Sequence, residues 1–331
     1  MKIIVTGGAG FLGSHLVDKL LQRGDEVIAI DNLLTGDLKN IEHLRSNPNF
    51  RFIEADVVKP LPLDLEANPD LIGADQIYHL ASPASPNINS PKSYHALAFE
   101  TMQVNSLGTW NLCELAKKIG AKFLFASTSE IYGNPKEHPQ KESYLGNVST
   151  LGPRSVYDES KRFGETITAA FIRSKGLDGR TVRIFNTYGP RMADDGRVVI
   201  EFINAALANK PIPIFGNGSQ TRSFCYVSDL IEGIVLAMEK GNKGKVFNLG
   251  NPQEFTIQEL AEKIKQLTGS TSEIKSIAEL PEDDPLKRCP DISHAKEVLG
   301  WEPKIGLEKG LKTLINTLNP RCSFTPTSEV G

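Results

Sequence analysis

Through the first half of the chain, short apolar runs alternate with longer stretches in which hydrophobic residues recur every three or four positions. The short runs are Ile3 to Thr6, Glu26 to Asp31, Phe50 to Asp56, Gln76 to Leu80, Lys122 to Ser127 and Thr181 to Phe185, and each has the length and the β-branched or aromatic content of a strand. Strand, helix and strand in succession predict βαβ units, whose crossover helices cover both faces of a parallel sheet; the strands should therefore be apolar throughout rather than alternating. After about Gly189 the texture changes. Pro211 to Gly218 and Gly250 to Gln253 are rich in turn formers, and amphipathic helices are expected near Ile257 to Leu267 and Ile292 to Leu299. The expected division is a first domain over residues 1–188 and a smaller α/β lobe over 189–312, some of whose segments return to the first domain. Residues 313–331 are read as a disordered tail, since periodicity is gone from Asn319 onward.

Composition narrows the picture. A chain of 331 residues, 40% of them hydrophobic, can bury a core of enzyme size. Its 37 basic and 40 acidic residues leave a formal charge of -3, without the Lys/Arg run that would mark a nucleic-acid track or a membrane surface, so no nucleic acid and no membrane is expected as partner. Cys113, Cys225, Cys289 and Cys322 are scattered and the six histidines form no ligand spacing, so reduced thiols and no metal are expected. The first strand begins at Ile3, which leaves no room for a leader, and no apolar stretch approaches the roughly 20 residues of a membrane span. A cytoplasmic protein is the expectation.

The first chemical signal is Gly7-Gly8-Ala9-Gly10-Phe11-Leu12-Gly13, which follows a strand and opens a helix marked by Leu16, Leu20 and Leu21. Glycines at 7, 10 and 13 permit a tight turn, a close approach of backbone to a pyrophosphate, and packing of helix on sheet, with the positive helix end toward the anion. Ile28-Ala29-Ile30-Asp31 closes a second strand on a carboxylate about 20 residues on, placed to bond a ribose 2′-hydroxyl and to repel a 2′-phosphate. A Rossmann-type, doubly wound parallel sheet that binds NAD follows. Asp56, Val57, Leu80, Ala81 and Ser82 end later strands, where further cofactor contacts should fall.

The second signal is Tyr157-Asp158-Glu159-Ser160-Lys161, which sets a phenol and an ammonium on one helix face. A cation that close should favour the phenolate and prepare it for base catalysis. With Thr6 to Gly13 and the hydroxyl run Ser127-Thr128-Ser129, this pair makes the chain resemble the extended short-chain dehydrogenase/reductase family. Within that family, Ser127-Thr128-Ser129-Glu130-Ile131-Tyr132-Gly133 is similar to the UDP-glucuronate decarboxylases, as are His79 to Pro86, Ile184 to Met192, Asp195 to Val199, Gln220 to Phe224, Phe247 to Pro252 and Asp284 to Asp291; the likeness runs from residue 1 to about 312.

The resemblance implies UDP-glucuronate as substrate and UDP-xylose as product. NAD oxidises C4, carbon dioxide leaves from the β-keto acid, C5 is protonated, and C4 is reduced again. It implies Tyr157 as base, Lys161 beside it, and Thr128 against the reacting hydroxyl. Glu130, read as an uncompensated carboxylate, would sit near C5 and C6, with Arg288 at the substrate carboxylate or delivering a proton. Cofactor contacts are expected from Gly7, Gly10, Phe11, Leu12, Gly13, Asp31, Asn32, Thr35, Gly36, Asp56, Val57, Leu80, Ala81, Ser82, Tyr157, Lys161 and Thr187. Substrate contacts are expected from Asn186, Arg191, Arg197, Val199, Phe215 and Arg222, with Arg197 and Arg222 as bidentate phosphate donors. A homodimer packed through the helices around Asn105 to Lys118 and Tyr157 to Lys175 is also implied. Residues 87–104 depart from the family pattern, being longer and less similar, and Leu65 to Gly73 looks inserted. The alternatives are a nucleotide-sugar 4-epimerase or 4,6-dehydratase, or a non-catalytic NAD-binding protein; the dehydratase lacks here the acid expected next to Glu130, where Ser129 stands.

Overall fold

Each predicted strand is present, and each pairs in parallel with its neighbours. The structure is a computed structural model that describes residues 1–59, 68–280 and 285–319. In chain order it begins β1 (Lys2–Thr6), α1 (Phe11–Gln22), β2 (Glu26–Asp31), β3 (Phe50–Glu54), β4 (Gln76–His79), α2 (Ala98–Gln103), α3 (Thr109–Ile119), β5 (Lys122–Thr128), α4 (Ser155–Lys175) and β6 (Gly179–Ile184). It continues β7 (Thr187–Tyr188), α5 (Val198–Leu207), β8 (Ile212–Phe215), β9 (Thr221–Ser223), β10 (Cys225–Tyr226), α6 (Val227–Lys240), β11 (Val246–Leu249), β12 (Glu254–Thr256), α7 (Ile257–Thr268), β13 (Ile274–Ala278), β14 (Lys287–Arg288), α8 (Ser293–Leu299) and α9 (Leu307–Leu318).

The main sheet has the order β11-β6-β5-β4-β1-β2-β3. Because helices cover both of its faces, Ile3, Ile4 and Val5 are all fully buried although successive side chains point to opposite sides. The chain reverses direction across the sheet between β1 and β4, the switch point at which doubly wound sheets open a ligand crevice beyond the strand ends. Both chemical motifs lie there, Gly7 to Gly13 after β1 and Thr128 to Glu130 after β5.

Among the described residues the second lobe holds three small sheets, β10-β7, β12-β9-β14 and β13-β8, with α5, α7 and α9 beside them. Helix α7 starts as the local sequence dictates. Thr256 accepts from the Glu259 amide while the Glu259 carboxylate accepts from the Thr256 amide, and Gly269 in the left-handed region ends the helix. Strand β11 returns to the main sheet against β6. One cluster of buried apolar side chains spans both lobes, from Ile3 and Val5 through Tyr188 to Leu314 and Ile315. At about 1.5–3 kcal/mol for each fully buried aliphatic side chain, this shared packing fixes the two walls of the crevice relative to each other.

Two expectations change. Residues 313–318 are the last turns of α9 rather than part of a tail, because Leu314 and Ile315 are buried in that common core; 320–331 lie outside the described residues. Strand β3 ends at Glu54, so Asp56 sits in the loop beyond it. Of the stretch Leu65 to Gly73, residues 65–67 lie outside the described residues and Pro69–Leu71 form a single 3₁₀ turn. Cys113, Cys225 and Cys289 are free, buried thiols, and Cys322 lies outside the described residues. Among the described residues no helix is long and apolar enough to cross a membrane.

Candidate active site

A cleft of about 1020 Å³ runs along the switch point and between the lobes. It is lined by every expected site residue except Gly36, which instead packs on Asp31. That volume lies at the upper end of single-ligand pockets and suits two ligands end to end.

At the cofactor end, Gly7 has φ +74°, and a Cβ there would lie 2.7 Å from the Ala81 nitrogen; a Cβ on Gly13 would lie 1.9 Å from the Gly7 carbonyl oxygen. Only glycine permits this cradle, in which α1 meets the cleft by its positive end. Asp31 accepts from the Ala9 amide at 3.0 Å and the Leu33 amide at 2.8 Å, and burial raises its carboxyl above the ordinary value. The residues that would hold an adenosine diphosphate half are thus assembled: Gly7 to Gly13, Asp31, Asn32, Thr35, Asp56 and Val57. They fit NAD.

Farther along the cleft, Tyr157 and Lys161 share a face of α4, 7% and 3% exposed. The expected direct effect of the ammonium on the phenol is not seen. Lys161 donates to the Ala126 carbonyl at 2.8 Å, its Nζ stands 5.9 Å from the Tyr157 ring centre, and burial pushes its own pKa down to about 7. Burial likewise pushes the phenol well above its usual value, against the opposing hydrogen bond to Thr128. Tyr157 rests here as a protonated phenol.

Glu130 differs most from expectation. It is not uncompensated, because Arg154 and Arg288 both form ion pairs with its carboxylate. Burial alone would raise this carboxyl, but the Arg288 and Arg154 guanidiniums outweigh it and hold the group well below the carboxylate range. The clasp is set from behind. Ser127 donates to Glu165 at 2.6 Å, Arg183 grips Glu165 and donates to the Tyr132 hydroxyl, and this network fixes the turn that carries Glu130. Arg288 is 2% exposed and also donates to the Gly133 carbonyl at 3.0 Å. Two cations against one carboxylate leave a net positive site in a buried place. Next to Tyr157, the Asp158 carboxyl is pushed up, first by burial and then by the Glu130 charge.

The expected substrate arginines line the other wall. Arg222 on β9 faces Arg288 on β14 in register and donates to the Thr221 carbonyl. Arg197 pairs with Asp195 at 2.9 Å, and Arg191, at φ +63°, pairs with Asp18 of α1 at 2.7 Å. Asn186, Thr187, Val199 and Phe215 also line the cleft.

Two residues escaped the sequence reading. Arg154 lies only three positions before Tyr157, but nothing in Gly152-Pro153-Arg154 shows that the loop turns its guanidinium onto Glu130. Tyr94 belongs to the 87–104 segment that departs from the family pattern. Its ring stacks on Tyr157 with centres 4.9 Å apart and planes 10° apart, and its buried hydroxyl has no partner among the described residues.

The profile of the NAD dependent epimerase/dehydratase family matches residues 3–250. UDP-glucuronic acid decarboxylase 1 of Arabidopsis thaliana is 52% identical over 322 residues, covering 97% of this chain and 70% of that protein. Among solved structures, the UDP-glucose 4-epimerase of Thermotoga maritima with UDP-glucose superposes with a TM-score of 0.86 at 33% identity, covering 98% of this chain and all of that one. The UDP-glucuronic acid 4-epimerase of Bacillus cereus, in complex with UDP-glucuronic acid and NAD, superposes with a TM-score of 0.83 at 30% identity over 97% of this chain and all of that one.

Proposed function

The chain belongs to the NAD dependent epimerase/dehydratase family, and within it we propose that the protein decarboxylates UDP-glucuronate to UDP-xylose. The observation that carries this reading is the 52% identity to a UDP-glucuronic acid decarboxylase over 97% of the chain, which takes in both walls of the cleft. NAD, when bound, supplies a hydride acceptor at C4 of the sugar and returns the hydride at the end, so there is no net redox change.

The protein's own residues do the rest. Tyr157, once ionised, takes the C4 hydroxyl proton and gives it back, and the Thr128 hydroxyl, hydrogen-bonded to that phenol, orients the sugar hydroxyl. A ketone at C4 lies β to the C6 carboxylate, so the carbon–carbon bond breaks with its electrons moving into an enolate. The clasp at Glu130 suits such a substrate, because two guanidiniums shared between two carboxylates, one of the protein and one of the sugar, come to charge balance. Positive charge on the substrate carboxylate would, taken alone, oppose loss of carbon dioxide, since the negative charge must migrate toward C4. Glu130 draws on the same guanidiniums and tempers that grip. Held ionised, it orients a water toward C5 rather than donating a proton of its own.

Incubation with UDP-glucuronate should release one carbon dioxide per sugar and yield UDP-xylose without accumulation of reduced cofactor, as read by mass spectrometry and by absorbance. Formation of UDP-galacturonate with no gas would make the protein an epimerase instead.

We also propose a homodimer. Phe99 and Met102 of α2, Leu107, Trp110 of α3 and Phe163 of α4 form an exposed apolar set, with Phe99 73% and Phe163 55% exposed, on helices that pack together beside the sheet. A second copy of the chain is the occupant argued for. Light scattering should report about twice 36.3 kDa for the protein and about half of that for a Phe99→Asp/Phe163→Asp variant; equal masses would remove this face from the assembly.

A further inference from the structure

His138, Glu254 and Cys289 come together on the side of the β12-β9-β14 sheet, and none of the three lines the cleft. They reach that point from separate elements. His138 lies in the loop after the Glu130 turn, Glu254 opens β12, and Cys289 directly follows Arg288 at the end of β14. Their donor atoms lie within 4.8 Å of one another, with His138 Nε2 at 2.7 Å from a Glu254 carboxylate oxygen.

The surrounding groups fix these three side chains. Thr221 donates to the other Glu254 oxygen at 2.6 Å. Fully buried Gln140 brackets Cys289, accepting from its amide and donating its own amide to the Cys289 carbonyl, both at 2.9 Å. The Cys289 thiol donates to the Pro252 carbonyl at 3.2 Å. One imidazole nitrogen, one carboxylate oxygen and one sulfur form a mixed, borderline-soft donor set that suits a tetrahedral dication better than magnesium or calcium, which take oxygen.

We propose that His138, Glu254 and Cys289 bind one zinc ion, with water as the fourth ligand, and that occupancy slows turnover through Arg288. Binding releases the thiol proton, while the neutral imidazole binds through Nε2 with its proton on Nδ1, and nothing is oxidised or reduced. The coupling runs through one peptide bond. Ligation exchanges the hydrogen bond from Cys289 to Pro252 and the pair between His138 and Glu254 for metal bonds, and the residue before Cys289 holds both Glu130 and the Gly133 carbonyl. That second clause rests on the decarboxylase reading; the metal site does not.

The whole chain, titrated with cobalt as a spectroscopic stand-in for zinc, should show thiolate-to-metal charge-transfer absorption at one ion per chain. Cys289→Ser should abolish the band. Zinc affinity, measured by competition with a chromophoric chelator, should fall by at least about tenfold in Cys289→Ser and also in His138→Gln, an exposed position whose change does not threaten folding. Absence of the band, or zinc affinity kept within threefold in either variant, overturns the site. Decarboxylation should slow on adding zinc and recover with chelator in the wild type, and stay unchanged by zinc in His138→Gln; a wild type that binds zinc with unaltered turnover overturns the coupling to Arg288.

Discussion

Tyr157→Phe is expected to lower kcat for UDP-glucuronate by about three orders of magnitude, within the range of a lost acid-base group, while NAD stays bound and the melting temperature moves little. The ring survives this change and keeps its stack on Tyr94, so packing is preserved. What goes is one oxygen, the group that hydrogen-bonds Thr128 and would hold the C4 proton. The cofactor cradle of Gly7, Gly13 and Asp31 lies at the other end of the cleft and is untouched. Because burial keeps the resting phenol protonated, the wild-type rate should climb as pH rises and the phenol ionises more readily. The variant should lose that limb of the profile. Steady-state rates at several pH values, with NAD content measured after denaturation, separate this outcome from simple misfolding. A variant within tenfold of wild type would place the base elsewhere, and Asp158 on the same turn of α4 would be the group to test next.

The sheet was legible because parallel strands buried on both faces are apolar throughout and stand out against helical periodicity; Glu26–Asp31 has the same limits in sequence and in structure. The end of the last helix was not. Leu314 and Ile315 are apolar positions whose burial depends on α7 and β10 packing beside them, and local periodicity carries no such information. Within the site, the placement of local motifs was readable: a glycine turn between strand and helix is visible in seven residues, and the shared face of Tyr157 and Lys161 needs only helical geometry. The charge state of Glu130 was not readable, because its partners sit 24 and 158 positions away and one of them, Arg288, comes from a strand of the other lobe. Without the family likeness, Arg288 in the charged run Asp284-Pro285-Leu286-Lys287-Arg288 would read as solvated, whereas pairing of β14 with β9 buries it. Tyr94 was hidden for a related reason: its stack on Tyr157 depends on the path of a long loop.

Glu130→Gln is expected to lower kcat by about two orders of magnitude, and to do so while lowering KM. In the wild type, two guanidiniums divide themselves between Glu130 and the C6 carboxylate. With a neutral amide at 130 both are free for the substrate, which then binds more tightly in its ground state. The charge on C6 must leave that grip as the carbon–carbon bond breaks, so tighter binding there raises the barrier; kcat and KM falling together is the signature of lost ground-state destabilisation. The same substitution leaves two cations in a buried place without their counter-charge, which should cost about 3 kcal/mol of stability at neutral pH. The sign of the pH dependence follows from the depressed carboxyl. Stabilisation by Glu130 is fully present above the unfolded carboxylate value of roughly 4.3, and it is lost as pH falls toward the folded value of about 2. The denaturation midpoints of wild type and Glu130→Gln should therefore differ at pH 7 and converge in acid, since a protonated Glu130 and a glutamine present the same charge to Arg154 and Arg288. A gap that does not shrink as pH falls from 7 toward the folded value of about 2 would mean that the arginines do not depend on this carboxylate, and a raised KM with unchanged kcat would reduce Glu130 to a residue that only helps to hold the sugar.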